Sequence, residues 1–278
     1  MFFFAIKFPT MRKLVLTALI IALGACKTVP LTGRKQVALI PGAQMNAMAV
    51  DQYQQVLSES KVIKGTAQAQ TVERVGRKIA AAVERYLTQK GHADMVKDFK
   101  WEFALIDENV ANAWCMPGGK VAFYTGILGI CQDEAGIAVV MGHEIAHAVA
   151  SHGSERMSQG LIQQMGGVAL QVAIKDQPEK TQSLYMTAYG IGSQYGAMLP
   201  FSRLHESEAD KMGLVFMGMA GYDPREAPKF WERMAAQSGG NQPPEFMSTH
   251  PSHSTRIKDL NANMGEAMKY YLQTQQGQ

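Results

Sequence analysis

The sequence predicts an α+β fold that is mainly helical and carries a small antiparallel sheet. Apolar residues recur every three or four positions in two segments before residue 90, short strand-like runs lie between residues 101 and 124, and a helical pattern covers almost all of the chain after Gly126. Hydrophobic residues make up 46% and charged residues 18% of the 278 residues, which is typical of a globular protein with a buried core.

The predicted elements follow a simple order along the chain. Two helices, at 44–59 and 67–86, precede three strands, at 101–106, 113–116 and 121–124. Pro117-Gly118-Gly119 is a turn signal between the last two strands, which therefore form a hairpin. Further helices are expected at 132–151, 154–174, 182–198, 202–219, 224–237 and 254–273.

Residues 1–25 are typical of a secretory signal. Arg12-Lys13 precede an apolar run at 14–25, which is shorter than the roughly 20 residues that span a bilayer. The run ends in Leu23-Gly24-Ala25-Cys26, which resembles the lipobox of bacterial lipoproteins. That resemblance implies an acylated Cys26 that binds the lipid bilayer. Lys27 rather than aspartate follows the cysteine, and by resemblance to enterobacterial lipoproteins this favours the periplasmic face of the outer membrane.

The rest of the chain is expected to contain a tether and one domain. Residues 26–41 include turn formers and are interpreted as an extended tether, and residues 42–278 as a single domain. The first 25 residues carry three basic residues and no acid, so the remainder, with 24 basic and 24 acidic residues, is formally neutral. This charge balance argues against nucleic acid as a partner. Cys115 and Cys131 form either a disulfide or two buried free thiols.

The strongest chemical signal is His143-Glu144-Ile145-Ala146-His147, within a predicted helix. Positions four apart lie on one helix face, so both imidazoles can bind one Zn²⁺. Glu144 then stands beside the metal, where a carboxylate can act on a water molecule.

A catalytic zinc site has three protein ligands, so a further residue of the chain must supply the third. A metzincin pattern fails, because Ala150 and Gly153 stand where it needs glycine and histidine. In Glu206-Ser207-Glu208-Ala209-Asp210, Glu206 and Asp210 share a helix face. One carboxylate can complete the zinc site, and the other can accept the second N–H of a ligand histidine. Glu208 is expected to face solvent or to cap the helix.

These motifs together resemble the metallopeptidases of family forty-eight, of the HtpX and CAAX-prenyl-protease type, and in particular its soluble, envelope-located bacterial members. The resemblance implies a zincin-like metalloprotease domain built around the HExxH helix, with His143, His147 and Glu206 as ligands of one Zn²⁺ per chain. It also implies Glu144 as the general base and Asp210 as a supporting carboxylate. The matching segments, in family order, are NAWCMPGGKVAFYTGIL (112–128), HEIAHAVASHGSER (143–156), ESEAD (206–210) and STHPSHSTR (248–256).

Other residues receive roles from the same resemblance. Asn112-Ala113-Trp114 is interpreted as an edge strand that pairs with an extended substrate. His250 either approaches the zinc and blocks its open position or donates to the oxyanion, and Arg256 binds either Glu206 or substrate. The remaining histidines are left as structural or unassigned; they are His152, His205 and His253.

The sequence therefore predicts a zinc endopeptidase of the bacterial cell envelope. Its expected partners are polypeptides, namely misfolded or misassembled envelope proteins, and possible targets include outer-membrane proteins or their assembly machinery. The alternative is a non-proteolytic chaperone or assembly factor for outer-membrane proteins that uses the same groove. Glu144 favours the peptidase, because a protein that only binds has no need of a general base.

Overall fold

The computed structural model describes residues 26–237, 244–250 and 255–276. The predicted signal at 1–25 and His253 lie outside the described residues. The proposed acylation site, Cys26, is the first residue of the first strand.

Helices make up most of the described chain, as the sequence predicts. The six long helices expected after Gly126 are all present, with boundaries within a few residues of the predicted ones. Two short helices, Thr125–Cys131 (α3) and Glu245–Thr249 (α9), are unpredicted because they are too brief to produce a clear apolar period. The described residues form α1 (Gly42–Glu59), α2 (Ala67–Gln89), α3 (Thr125–Cys131), α4 (Glu134–Val149), α5 (His152–Ala173), α6 (Glu179–Ser193), α7 (Leu199–Met219), α8 (Glu226–Ala236), α9 (Glu245–Thr249) and α10 (Arg256–Gln276).

A four-stranded sheet packs beside the helices, in the order β3-β4-β6-β5. Its strands are β3 (Val62–Ile63), β4 (Glu102–Ile106), β5 (Ala113–Met116) and β6 (Lys120–Tyr124). The predicted hairpin of β5 and β6 is confirmed, with Ala113 opposite Phe123. The sheet is mixed rather than wholly antiparallel, because β6 lies between β5 and β4 and runs parallel to β4.

The segment before α1 is folded, which corrects the prediction of an extended tether. Strands β1 (Cys26–Thr28) and β2 (Lys35–Val37) pair antiparallel as a hairpin. Gly33 has a positive φ of 72° in the connecting turn, a conformation that glycine adopts without strain. Val29 and Gln36 are buried, so this N-terminal hairpin packs on the domain instead of hanging from it.

Helix α4 forms the centre of the molecule. It begins at an N-cap, Asp133, whose side chain accepts a hydrogen bond from the amide of Gly136 at 2.9 Å. Every residue from Gly136 to Val149 is buried. A helix buried on all sides has no solvent face, so its polar residues must find partners inside the protein.

Helices α4 and α7 approach each other closely at a pair of glycines. A Cβ atom added to Gly142 would lie 2.8 Å from the carbonyl oxygen of Gly213, and one added to Gly213 would lie 2.9 Å from the amide nitrogen of His143. These distances are shorter than a real Cβ contact. The absence of both side chains therefore sets how near the two helices lie.

The pair formed by α5 and α6 exposes many apolar side chains. Met165 and Val172 on α5 are 69% and 63% exposed, and Leu184 on α6 is 68% exposed. A cavity of about 490 Å³, lined mainly by apolar atoms, lies between these helices and β2. Within the described residues, no helix is both long and apolar enough to cross a membrane.

The glycine contact can be tested by substitution. In Gly213→Ala, the new methyl group meets backbone atoms, which can move only if the two helices separate. We expect a loss of about 1–3 kcal/mol in the free energy of unfolding, as is usual for overpacking. The control is Gly160→Ala on α5, where no atom lies within 4 Å of the added Cβ. That variant is expected to gain about 0.4–1 kcal/mol. Equal urea midpoints for the two variants would contradict the close contact.

Candidate metal centre

His143 and His147 point from one face of α4 to a common position. Both side chains are almost fully buried, and their Nε2 atoms lie 3.1 Å apart. The i, i+4 spacing brings the two imidazoles together, as the sequence predicts. Their other nitrogens, the Nδ1 atoms, contact Asp210 and His152 respectively.

Glu206 reaches the same position from α7. Its Oε2 lies 3.3 Å from Nε2 of His143, and its Oε1 lies 3.5 Å from Nε2 of His147. The side chain is only 1% exposed. A carboxylate placed so deep requires positive charge or hydrogen-bond donors near it.

His250, at the C-terminal end of α9, provides a fourth group. Its Nδ1 lies 3.2 Å from Nε2 of His143 and 3.0 Å from Oε2 of Glu206. The ring packs on Phe246, with centroids 4.6 Å apart. One ligand atom from each of His143, His147, Glu206 and His250 lies within 4.8 Å of the others. His250 is therefore beside the ligand cluster, as in the first of its two predicted roles.

The chemistry of these donors fits a metal ion. Carboxylate oxygens and unprotonated ring nitrogens are acceptors, and acceptors at these separations repel unless a cation lies among them. Ligand atoms around a tetrahedral zinc ion, with bonds of about 2.0–2.1 Å, lie roughly 3.3 Å apart, which matches the separations here. Burial alone would lower the pKa of His143, yet hydrogen bonds with Asp210 and Glu206 raise it to about 9. Asp210 and Glu206 therefore favour a positive charge at His143.

Glu144 stands next to this cluster and has an unused acceptor. Its side chain is 3% exposed, and its Oε1 makes no hydrogen bond within the described part of the chain. The same oxygen lies 3.5 Å from Nε2 of His250. Burial raises the pKa of the Glu144 carboxyl, which makes it a stronger base than an exposed glutamate.

Asp210 and Arg256 support the cluster from behind. Oδ1 of Asp210 accepts from Nδ1 of His143 at 2.9 Å and from Nη2 of Arg256 at 2.7 Å. Although burial opposes ionisation, Arg256 and His143 lower the pKa of Asp210. Arg256 also lies 3.6 Å from Glu206, and its guanidinium stacks 3.4 Å from the centre of the Trp231 ring. Of its two predicted roles, the contact with Glu206 is present, and a side chain 1% exposed is closed to substrate.

The residues predicted to bind substrate lie at the edge of the sheet. Ala113 and Trp114 belong to β5, which among the described strands pairs with β6 alone. Asn112, just before the strand, donates from Nδ2 to Oε1 of Glu245 at 3.0 Å, so α9 contacts this edge. Cys115 and Cys131 are free thiols, which excludes the disulfide alternative. Burial, with the nearby Glu144 carboxylate, raises the pKa of Cys115.

A network of buried polar residues behind His147 was missed from the sequence. Glu208 does not face solvent or cap its helix as predicted: it is 6% exposed and accepts from Nε2 of His152 at 3.0 Å. Nδ1 of His152 lies 2.8 Å from Nδ1 of His147. Glu155 accepts from Nε2 of His205 at 2.8 Å. The available signal was the density of histidines and acids in 152–155 and 205–208, which exceeds what three zinc ligands require.

The fold and the cluster together define a class of protein. A buried HExxH helix, a carboxylate supplied by a second helix and a small sheet at one side are the features of a zincin-type metallopeptidase.

Comparison with known proteins identifies the peptidase family to which the chain belongs. The sequence profile of peptidase family M48 matches residues 67–264, so the chain belongs to peptidase family M48. It is 37% identical over 195 residues to mitochondrial metalloendopeptidase OMA1 of Arabidopsis thaliana, covering 68% of this chain and 37% of the relative. Against the protein of the same name from Schizosaccharomyces pombe, identity is 32% over 240 residues, covering 86% of this chain and 66% of the relative.

A bacterial relative also matches. The β-barrel assembly-enhancing protease of Escherichia coli is 29% identical over 176 residues, covering 60% of this chain and 35% of the relative. The chain thus spans between about a third and two thirds of the length of these three relatives. The family inferred from the motifs is confirmed.

The electrostatics behind His147 predict a loss of stability in acid. Burial alone would raise the pKa of Glu155, but hydrogen bonds from His205 and Arg34 lower it from 4.5 to about 2. Ionised Glu155 therefore stabilises the folded state fully above pH 4.5, and this contribution is lost as pH falls towards 2. In metal-free protein, the difference in free energy of unfolding between wild type and Glu155→Gln should narrow over that range. A difference that stays constant from about pH 7 to about pH 3 would contradict this.

Proposed function

We propose that this protein is a zinc-dependent endopeptidase. The observation that carries the proposal is a buried glutamate, Glu144, whose Oε1 makes no hydrogen bond to any described residue and stands beside a converging set of two histidines and a carboxylate. His143, His147 and Glu206 would hold one Zn²⁺. Such an ion polarises the scissile carbonyl and lowers the pKa of water towards about 7.

Proton transfer, orientation of the ligands and substrate binding are assigned to residues of this chain. Glu144 takes a proton from the attacking water and delivers it to the leaving amine, a role that its raised pKa suits. Asp210 fixes the ring of His143 through the Nδ1 hydrogen bond, and Arg256 keeps Asp210 ionised. The edge of β5 that no described strand covers, with Asn112, Ala113 and Trp114, would bind an extended peptide by main-chain hydrogen bonds.

His250 is proposed to keep the resting enzyme inactive. Its Nδ1 lies among the other ligand atoms, at 3.0 Å from Glu206, so the imidazole would occupy the position that a catalytic zinc site leaves open. Catalysis would then require His250 to leave, and peptide binding at the neighbouring β5 edge would be the trigger.

The proposed setting is the bacterial envelope. The lipobox-like sequence at Cys26 supports a lipid-anchored protein on the periplasmic face of the outer membrane. A β-barrel assembly-enhancing protease among the relatives supports misassembled outer-membrane proteins, or their assembly machinery, as partners. The chain would thus be a soluble, envelope-located member of its family that takes part in protein quality control.

A second candidate function is a chaperone that holds unfolded envelope proteins without cleaving them. The observation that favours it is the exposed apolar surface of α5 and α6, beside an apolar cavity of about 490 Å³. Surfaces of this kind bind other apolar chains. The two functions are compatible, since one surface can hold a chain that the metal centre then cuts.

Glu144→Gln separates the two functions. It removes the base and keeps the ligands, so we expect zinc content equal to wild type and casein cleavage reduced at least about a hundredfold. Suppression of the aggregation of an unfolded outer-membrane protein should persist if the chaperone function is real. The exposed-site control is Glu59→Gln, at the end of α1, which should leave cleavage unchanged. A zinc-loaded Glu144→Gln protein with the wild-type rate of cleavage would refute the assigned mechanism.

His250→Ala distinguishes latency from oxyanion stabilisation. Removal of a blocking ligand should increase the cleavage of casein, whereas loss of an oxyanion donor should reduce it by about a hundredfold or more. Zinc content measured on the same samples identifies any variant that has simply lost its metal. Unchanged cleavage of every substrate would mean that His250 has neither role.

A further inference from the structure

Arg34 is a charged residue of the N-terminal hairpin, far in sequence from the metal centre. It lies just before β2, and its side chain is 16% exposed. The guanidinium extends from the hairpin into the contact between α5 and α7. None of the sequence motifs includes this residue.

The guanidinium of Arg34 joins two buried carboxylates. Nη1 and Nη2 donate to Oε1 and Oε2 of Glu155 at 2.9 and 2.7 Å, and Nε donates to Oε2 of Glu208 at 2.8 Å. Both carboxylates are only 4% exposed. Within the described ranges, no other lysine or arginine forms an ion pair with either of them. Planar, bidentate geometry of this kind is characteristic of arginine and is unavailable to lysine.

A chain of hydrogen bonds leads from Arg34 to the metal position. Oε2 of Glu208 accepts from Arg34 and also from Nε2 of His152, at 3.0 Å. Because an ionised carboxylate only accepts, Nε2 of His152 carries the proton, and its Nδ1 is an acceptor. Nδ1 of His147, 2.8 Å away, must then donate to it. This arrangement leaves the lone pair on Nε2 of His147, the atom that faces the ligand cluster.

We propose that Arg34 is a positioning residue of the metal centre, which acts through Glu208 and His152 to fix the tautomer and orientation of the ligand His147. The inference rests on the proposed metal site and extends it to a segment outside the family motifs. Within the described ranges, Arg34 makes no hydrogen bond or ion pair with the four residues of the ligand cluster. Its effect comes from holding the Glu208 carboxylate in place through the Nε hydrogen bond.

Removal of Arg34 would disturb the chain of hydrogen bonds that leads from Glu208 to the ligand His147. The Glu208 carboxylate would lose the Nε donor that holds its Oε2, and it could turn away from Nε2 of His152. His152 would then lose the acceptor that fixes which of its ring nitrogens carries hydrogen, and Nδ1 of His147 would lose a partner of defined orientation. Nε2 of His147 would be aimed less well at the ligand cluster. Loss of an outer partner of this type usually lowers metal affinity by about 10–100-fold.

The experiment measures Zn²⁺ affinity by competition with a chromophoric chelator, with no peptide present. Arg34→Ala is expected to bind Zn²⁺ about 10–100-fold more weakly than wild type, and Arg34→Lys should recover part of the loss because it restores a cation. The matched control is Arg233→Ala. Arg233 is also partly buried and also forms an ion pair, with Glu226 at 2.8 Å, but it lies outside the network, so its loss should leave Zn²⁺ affinity within about twofold.

Two further measurements separate positioning from general stability. Thermal unfolding of the metal-free proteins identifies a variant that is merely destabilised. His152→Ala should weaken Zn²⁺ binding on its own, and adding Arg34→Ala to it should weaken binding little further, because both act through one chain of contacts. Wild-type affinity in Arg34→Lys and in folded Arg34→Ala would overturn the inference. Failure of the wild-type protein to bind Zn²⁺ would instead refute the proposed function.

Discussion

The close crossing of α4 and α7 is the contact on which the site depends. Gly142 precedes the first ligand histidine, and Gly213 lies one turn after Asp210, so the two helices meet where the polar residues are. Side chains of ordinary length reach across this gap: Asp210 contacts one side of His143 and Glu206 the other. With a methyl group at either glycine, the helix axes would move apart and these contacts would lengthen. The polar contacts of the candidate metal centre therefore depend on the close packing of the two helix backbones.

The second requirement is the balance of charge in a dry interior. Five carboxylates lie buried around α4 and α7; they are Glu144, Glu155, Glu206, Glu208 and Asp210. Each must be neutralised or paired. Arg256 forms ion pairs with Asp210 and Glu206 on one side. Arg34 forms ion pairs with Glu155 and Glu208 on the other. Glu206 also faces three imidazoles, which suits a site built to hold a cation. Glu144 alone has no cationic side chain in hydrogen-bond contact within the described residues, and its raised pKa reflects this burial without a paired charge.

The sequence predicted the parts of the site that depend on local spacing. Helix geometry predicted that His143 and His147 share one face and that Glu206 and Asp210 share another, and the family resemblance then assigned Glu206 as the ligand and Asp210 as its support. The burial of Glu208 could not be inferred in this way. Its partner Arg34 lies 174 positions earlier, and no periodic pattern connects them. A lack of pattern also explains why residues 26–41 were predicted to be extended. Strands of three residues give almost no alternation of apolar and polar side chains, and a hairpin this small is stable only when it packs on a domain.

The sheet illustrates a related limit of sequence reasoning. The turn at Pro117-Gly118-Gly119 identified the β5–β6 hairpin correctly, because a tight turn constrains only neighbouring residues. The parallel pairing of β6 with β4 depends on which strand enters the middle of the sheet. Helix α2 contacts β4 and helix α4 contacts β5, and the strand sequences themselves do not record which strand lies between these two.

The N-terminal hairpin also changes where the catalytic unit should be considered to begin. Hydrophobic periodicity places the first residue of the domain near Gly42, and the family profile begins later still, at residue 67. A recombinant fragment cut at either boundary would lack Arg34 and would leave two buried acids facing each other. Such a fragment would contain all four segments that resemble the family and still lack the cation that pairs with Glu155 and Glu208. A fragment that keeps all of these polar contacts must extend at least as far upstream as Thr32, whose hydroxyl donates to Glu208.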